Sequence, residues 1–187
     1  MKKLMIASAI AMSFFGGSAV ASQGDIQFFG NVSAQTCDLV SEVGGAVSNM
    51  VQLGTVTTNG GSGNSHEGQP IEFTLKAKDA GACAEAAKLG AVIAWDGNLG
   101  VEGVMNQGGQ ATDAYVVLLA KNSDRADTKI TSNENSAEFA KDKLTGEGYK
   151  FSAQLIGGTT AGNFRSASAS ASASASASAS AYAVTYK

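Results

Sequence analysis

The sequence predicts an all-β sandwich, and three observations support this fold class. Short segments with apolar residues at every second position recur along the chain, as in half-buried strands. Clusters of Gly, Asn, Asp and Ser separate these segments, as in the turns of a β-protein. The chain contains one proline and little helix-forming sequence, so roughly seven short strands account for most of its pattern.

The N-terminus has the pattern of a secretory signal peptide. Lys2 and Lys3 give a basic start, an apolar run follows from Leu4 to Phe15, and Ala19–Ala21 supplies the small residues of a cleavage site. The apolar run is too short to span a bilayer as a stable helix, so a retained membrane anchor is the less favoured alternative. Residues 1–21 are therefore expected to be removed. The mature chain of 166 of the 187 residues then suits one domain.

The charge of the mature chain argues against nucleic acid as a partner. Without Lys2 and Lys3, the 13 basic residues become 11 against 16 acidic ones, a net charge of −5. No basic cluster remains for phosphate binding. No later apolar span reaches the roughly 18 residues that a membrane helix needs, so the mature protein is expected to be soluble or assembled.

The stretch after the predicted cleavage site has the clearest strand pattern near an end of the chain. One face would carry small and apolar residues, and the other would be mostly polar. A strand at a free end can pair with its own domain or with that of a neighbouring molecule. The residues on the apolar face are Gly24, Ile26, Phe28, Gly30, Val32 and Ala34.

Cys37 and Cys83 are the two cysteines of the chain. An even number of cysteines in an exported protein favours a disulfide between them. Two free thiols or a pair of metal ligands are the alternatives. A metal site has few further ligands to draw on, since His66 is the single histidine. No metal or cofactor is therefore expected.

The remaining strands and connectors follow from alternation and turn composition. Ala77–Leu89 favours one or two helical turns, and Trp95 is expected to pack inside the sandwich in preference to forming a ligand platform. The predicted connectors are Asp38–Asn49, Thr57–Gln69, Gly97–Thr112 and Asn122–Asp127. The predicted strands are Met50–Val56, Ile71–Leu75, Ala91–Trp95, Tyr115–Ala120 (buried on both faces), Tyr149–Leu155 and Tyr182–Tyr186, with weaker candidates at Lys129–Thr131 and Ala137–Ala140.

A Ser-Ala repeat of eight dipeptides occupies residues 166–181. Fully extended, it would be about 53 Å long, whereas a typical strand is about 17–20 Å long. The repeat also has no large side chain to bury, so most of it is expected to loop out or to be disordered. A silk-like strand of small residues is the alternative.

The sequence offers little for catalysis. A histidine-based triad would have to use His66, which lies in a Gly/Ser/Asn-rich stretch without a fixed partner. The glycines of that stretch lack the Lys-Ser/Thr ending of a phosphate-binding loop. Carboxylate pairs such as Asp124 with Asp127 are more simply solvated charge. The chain is therefore not expected to be an enzyme.

Four features together resemble the pilin subunits of bacterial chaperone–usher fimbriae of the type 1-like kind. Each is weak alone, but their order spans nearly the whole mature chain. They are the signal peptide followed by Gly24-x-Ile26-x-Phe28-x-Gly30-x-Val32 and Cys37; the alternating Ile71–Leu75 before Cys83; Gly162 at the start of the last strand region; and the ending Tyr182–Lys187 with its penultimate tyrosine.

The resemblance implies an incomplete immunoglobulin-like β-sandwich that lacks its last strand. Residues 22–28 would be a donor-strand extension, with Gly24, Ile26 and Phe28 facing a neighbour's groove, and residues 29–187 would be the pilin domain. The C-terminal strand beside the groove, and the segment that a chaperone recognises, would comprise Tyr182, Val184, Tyr186 and Lys187. Completing a sheet with a strand from another chain is a known mode of recognition.

The function implied is that of a structural subunit that polymerises head-to-tail on the bacterial surface and mediates adhesion. Its partners would be further copies and related fimbrial subunits, a periplasmic chaperone and an outer-membrane usher. The alternative is a fimbrial lectin or receptor-binding subunit that contacts a host glycan through Thr57–Gln69 and Gly97–Thr112, near Trp95.

Overall fold

A computed structural model describes residues 37–59, 66–166 and 180–187. The predicted signal peptide, the donor-strand residues Gly24, Ile26 and Phe28, and residues 167–179 of the Ser-Ala repeat lie outside the described residues. Within the described part, no helix is long and apolar enough to cross a membrane.

Eleven strands and one short helix make up the regular structure of the described residues. The strands are β1 (Leu39–Val43), β2 (Ala46–Val47), β3 (Ile71–Ala77), β4 (Ala91–Gly97), β5 (Leu99–Gly100), β6 (Gly103–Met105), β7 (Tyr115–Ala120), β8 (Thr128–Ile130), β9 (Ser136–Phe139), β10 (Tyr149–Ile156) and β11 (Ser180–Tyr186), and the helix is α1 (Ala84–Ala87).

The strands form two antiparallel sheets. The larger has the order β2-β1-β3-β10-β7-β6-β5, with β8 also paired to β7, and the smaller has the order β11-β4-β9. Aromatic rings join the sheets: Trp95 of β4 contacts Phe73 of β3 and Phe151 of β10, with ring centroids 6.2 and 5.2 Å apart. The prediction of an all-β, immunoglobulin-like sandwich is confirmed.

Alternation of apolar and polar residues explains the central strands. In β3, Phe73 and Leu75 are buried while their neighbours are not. In β7, Val116, Leu118 and Ala120 are buried, and the residues between them are half-buried. The prediction that β7 is buried on both faces is therefore wrong, because its second face is only partly covered. Trp95 is 5% exposed, which confirms its packing inside the sandwich.

The predicted disulfide is present between Cys37 and Cys83. Cys37 lies just before β1, and Cys83 directly precedes α1, so the bond ties the start of β1 to the start of the helix. The alternatives of free thiols or metal ligands are wrong, since neither cysteine is free. The helical turns predicted in Ala77–Leu89 are confirmed as α1, and the weak strand candidates near residues 130 and 138 are confirmed as β8 and β9.

Two stretches assigned to connectors contain strands. Asp38–Asn49 holds β1 and β2, joined at Gly44 and Gly45, whose φ values are 59° and 84°. Gly97–Thr112 holds β5 and β6, the second of which pairs with β7. In both stretches the neighbouring strand supplies the hydrogen bonds that local composition does not favour. The converse error lies at Met50–Val56, where the predicted strand is wrong and the chain has no regular element.

Candidate functional site

A groove with a cavity volume of about 620 Å³ lies between the two sheets. One wall is formed by the β1–β2 hairpin and the chain that follows it to Leu53. Tyr182 of β11 and Trp95 of β4 form the opposite side, and Phe164 and Ser166 also line the cavity. Its remaining lining comes mainly from the larger sheet, with Phe73, Leu75, Val104, Val116, Leu118 and Ala153. The site is therefore an apolar groove of a size suited to a peptide segment.

Aromatic side chains form the rigid centre of the groove. Phe73 and Phe151 stack with ring centroids 5.5 Å apart. Trp95 meets both rings edge-on, and Tyr182 lies against Trp95 with a centroid distance of 5.6 Å. Offset and edge-to-face contacts of this kind add stability beyond the buried area. The groove is thus held in shape by a packed cluster that joins both sheets.

The C-terminal strand β11 lies at the end of the smaller sheet, within the described residues. It pairs with β4 from Ser180 opposite Gly97 to Tyr186 opposite Ala91. Lys187 extends the ladder, exchanging two main-chain hydrogen bonds of 2.9 and 3.0 Å with Gly90. The strand predicted at the C-terminus is confirmed, and it begins two residues earlier than expected, inside the Ser-Ala repeat.

The residues predicted for the C-terminal strand have different positions relative to the groove. Tyr182, Val184 and Tyr186 are all partly buried against the core, but only Tyr182 lines the groove. Lys187 is exposed, and its Nζ lies 2.8 Å from the Glu138 carboxylate on β9. This ion pair spans β4 and ties the chain end to the far strand of the sheet.

The hydrogen-bond pattern of β11 fixes which way its backbone faces. Lys187 and Gly90 form a hydrogen-bonded pair, and such pairs alternate along an antiparallel ladder. The backbone groups of Tyr182 and Tyr186, in the opposite phase, therefore point away from β4. A further strand would join the sheet from this direction. Edge strands with outward-pointing backbone groups are templates for strand addition.

Burial makes the tyrosines of β11 weaker acids than free tyrosine, because it raises their pKa. It raises the pKa of Tyr186 to about 12, with a smaller contribution from the nearby Tyr182. Burial also raises the pKa of Tyr182. Within the described part of the chain, the buried Tyr186 hydroxyl has no hydrogen-bond partner. The two side chains therefore act as neutral, largely apolar surface at physiological pH.

Val104 and Phe164 are among the groove residues that reasoning from sequence missed. Val104 lies in a glycine-rich stretch that was assigned to a connector, and Phe164 directly precedes the Ser-Ala repeat. Phe164 is held in place because its neighbours pair with the chain after β6: Gln107 N–H donates to the Arg165 carbonyl over 2.8 Å, and Asn163 accepts from Ala111. The one sequence signal for Phe164 was that a large apolar side chain stands beside a repeat of small residues, where burial would not otherwise be expected.

The other candidate residues form no comparable site. His66 lies 3.9 Å from the Glu67 carboxylate, and its carbonyl accepts a hydrogen bond from Gly157 N–H. Across the part of the chain that the structure describes, no group of three or more His, Cys, Asp or Glu side chains is placed to hold a metal ion. Of Thr57–Gln69, residues 57–59 and 66–69 are described, and both ends are tied to the chain around residues 155–158.

Comparison with known proteins decides the family. No protein-family model matches the chain. The chain is 42% identical over 188 aligned positions to the F107 fimbrial protein of Escherichia coli, with all of both chains covered. This chain belongs to that family of fimbrial proteins. The fimbrial subunit is also 29% identical over 162 residues to the K99 fimbrial protein of Escherichia coli, covering 83% of this chain and 84% of that one.

Proposed function

We propose that this fimbrial subunit polymerises head-to-tail, with its groove filled by the N-terminal segment of the next copy. The observation that carries the proposal is an apolar groove beside β11, which is an edge strand of the smaller sheet in the described residues. Backbone groups of β11 point away from β4, its one neighbour in that sheet. Strand addition at such an edge takes affinity from main-chain hydrogen bonds and specificity from alternate side chains.

The proposed donor segment has the same length as β11 and an alternating side-chain pattern. Residues 22–28 would extend over about 23 Å, the same length as the seven residues of β11 beside which they would lie. Gly24, Ile26 and Phe28 would face the aromatic cluster, because side chains alternate along a strand. Each subunit offers one donor segment and one groove, and these are different surfaces. The contact therefore propagates into a fibre instead of closing into a ring.

The same groove explains the partners that we propose for the unassembled subunit. An apolar groove of this size is an aggregation hazard in a free chain. We propose that a periplasmic chaperone covers it with a strand of its own and captures the chain end at Tyr186 and Lys187. An outer-membrane usher then exchanges that strand for the next subunit. Fibres built in this way would mediate adhesion, with a host glycan as the proposed receptor class.

Substitutions in the donor segment test the proposal. Ile26→Asp or Phe28→Asp places a charge on the face that enters the groove, and should abolish the ladder of oligomers seen after mild heating in detergent. Gln27→Asp is the matched control, because residue 27 belongs to the opposite face and should leave the ladder intact. Fibres of normal length in the Ile26 and Phe28 variants, seen by electron microscopy, would contradict the donor assignment.

A substitution in β11 tests the proposed capture by the chaperone. Tyr186→Ala removes a partly buried ring from the strand beside the groove. The chain should then accumulate to lower levels in the periplasm, because its capture is weakened. Unchanged levels, measured by immunoblotting of periplasmic extracts, would exclude β11 as the strand that the chaperone recognises.

A further inference from the structure

Phe164 differs from the other aromatic side chains that line the groove because no strand or helix of the described residues carries it. Phe73, Trp95 and Tyr182 are each fixed by a strand ladder, whereas Phe164 lies in the chain between β10 and β11. Its ring is nevertheless half-buried and packs against the core. Hydrogen bonds of another kind must therefore hold it at the groove.

The side chain of Asn106 supplies part of that support. Its Oδ1 accepts hydrogen bonds from Gly109 N–H over 2.9 Å and from Arg165 N–H over 3.0 Å. Its Nδ2 donates to the carbonyls of Gly109 and Ala111, both over 2.8 Å. A carboxamide has two donors and two acceptor lone pairs, and all four are used here. Asn106 thus joins the loop after β6 to the residue that follows Phe164.

The residue before Phe164 is held by the same loop. Gln110 N–H donates to the Asn163 Oδ1 over 3.1 Å, in addition to the main-chain hydrogen bonds described above. The two segments lie so close that a Cβ added at Gly109 would clash with the Asn163 carbonyl oxygen. Phe164 is therefore fixed from both sides, and we call this arrangement the Asn106 clamp.

The Asn106 clamp lies beside the start of β11. Asn98 Nδ2 donates to the Asn106 carbonyl over 3.1 Å. Asn98 directly follows Gly97, which pairs with Ser180 at the beginning of β11. The ring of Phe164 therefore reaches the groove next to the strand along which the donor segment would lie.

We infer that Phe164 contacts the strand that fills the groove, and that Asn106 is the positioning residue that holds Phe164 against it. The inference rests on the proposed function and adds a binding residue from outside the two sheets. A ring that is already fixed loses little conformational freedom when the strand arrives. It therefore contributes more to affinity than the same ring on a loose segment.

Truncation of the ring tests the contact. The acceptor protein is the chain from residue 22 to 187 carrying Phe28→Asp, so that its own extension is impaired as a donor. Calorimetry measures its affinity for a synthetic peptide of residues 22–35. Phe164→Ala should weaken binding about tenfold, because an aromatic contact is lost. Val101→Ala is the control, since Val101 is an exposed apolar residue that does not line the groove.

A double-mutant cycle tests the role of Asn106. Asn106→Ala should weaken binding about fivefold, because Phe164 is no longer held in place. Added to Phe164→Ala, it should have little further effect, since Asn106 acts on the strand through Phe164. A general loss of stability would not produce this dependence on the ring.

Asn122→Ala is the matched control for Asn106→Ala. Asn122 Nδ2 donates to the Gly148 carbonyl over 2.9 Å, and its Oδ1 accepts from Lys150 N–H over 2.8 Å. Its side chain thus makes the same kind of hydrogen bonds to the main chain, but Asn122 does not line the groove. The affinity of this variant should stay within about twofold of the parent.

The outcomes distinguish this inference from the proposed function. If the peptide does not bind the parent protein, the proposed function fails. If it binds the parent and Phe164→Ala with affinities within about twofold, the inference is overturned while the proposed function stands. Equal effects of Asn106→Ala with and without the Phe164 ring would overturn the positioning role. If Asn106→Ala does not fold, Gly109→Ala takes its place in the cycle, because its Cβ would push residue 163 away.

Discussion

The disulfide between Cys37 and Cys83 offers the sharpest test of how the groove wall is held. It closes a loop with a sequence separation of 46 residues. That loop contains β1, β2 and β3, and residues from all three line the groove. Reduction of the bond should therefore weaken the fold and the groove together.

The size of the effect follows from the length of the loop. In the chain-entropy account, a cross-link over this separation lowers the entropy of the unfolded chain and stabilises the fold by ~4 kcal/mol. A domain of this size unfolds in urea with a slope of about 2 kcal/mol per molar. The midpoint of unfolding should therefore fall by roughly 2 M on reduction.

Urea unfolding of one protein in its oxidised and reduced forms measures this difference. The protein is the chain from residue 22 to 187 carrying Phe28→Asp, which impairs its own extension as a donor. It is unfolded at a fixed excess of a synthetic peptide of residues 22–35, and unfolding is monitored by circular dichroism. Keeping the peptide concentration constant limits the difference in ligand stabilisation between the two forms. Both forms have the same side chains, so the change reports the cross-link together with any weaker binding of the peptide by the reduced form. A difference below about 1 kcal/mol would refute the loop-entropy argument.

Three further predictions concern the donor, the C-terminal strand and a tight glycine. The synthetic peptide with Phe28→Asp should bind at least tenfold more weakly than the peptide with Gln27→Asp, measured by calorimetry; equal affinities would contradict the assigned faces. Tyr186→Phe removes a hydroxyl without a partner in the described residues, so stability at pH 7 should change by less than about 1 kcal/mol. Because the folded pKa of Tyr186 is raised from 10.0 to about 12, the neutral form is favoured by folding. The parent protein should therefore lose stability between those pH values, and the Phe variant should lose less; identical alkaline unfolding curves would contradict this. Gly103→Ala should lower the thermal midpoint, at a cost of roughly 2 kcal/mol, because φ is 142° and a Cβ would lie 2.2 Å from the Val116 carbonyl oxygen; an unchanged midpoint would show that the chain relaxes there.

Alternation in the sequence was sufficient wherever a strand has one clearly buried face. β3, β4, β10 and β11 were predicted within a few residues, because their inward side chains are large and apolar and their outward ones are mostly polar or small. Trp95 was placed in the core for the same reason. The pairing of Cys37 with Cys83 needed only an even cysteine count in an exported chain.

The errors lie where a strand depends on its neighbour instead of on its own composition. β1 is half-buried throughout and contains Ser41 and Glu42, so it shows no alternation that stands out. It is a strand because β3 offers it a ladder, and Glu42 also pairs with Lys76 of β3 at 2.6 Å. β5 and β6 are too short to show a period, and the second joins the sheet through β7.

The sequence by itself determined the fold class, the disulfide and the family resemblance, because these depend on local period, cysteine count and the order of motifs. Only the tertiary structure decided where the groove lies and which residues line it. Val104, Phe164 and Tyr182 are distant in the chain, and they meet because separate strands place them around one cavity. A local sequence pattern cannot predict that these residues line one cavity, since their proximity depends on how the sheets pack.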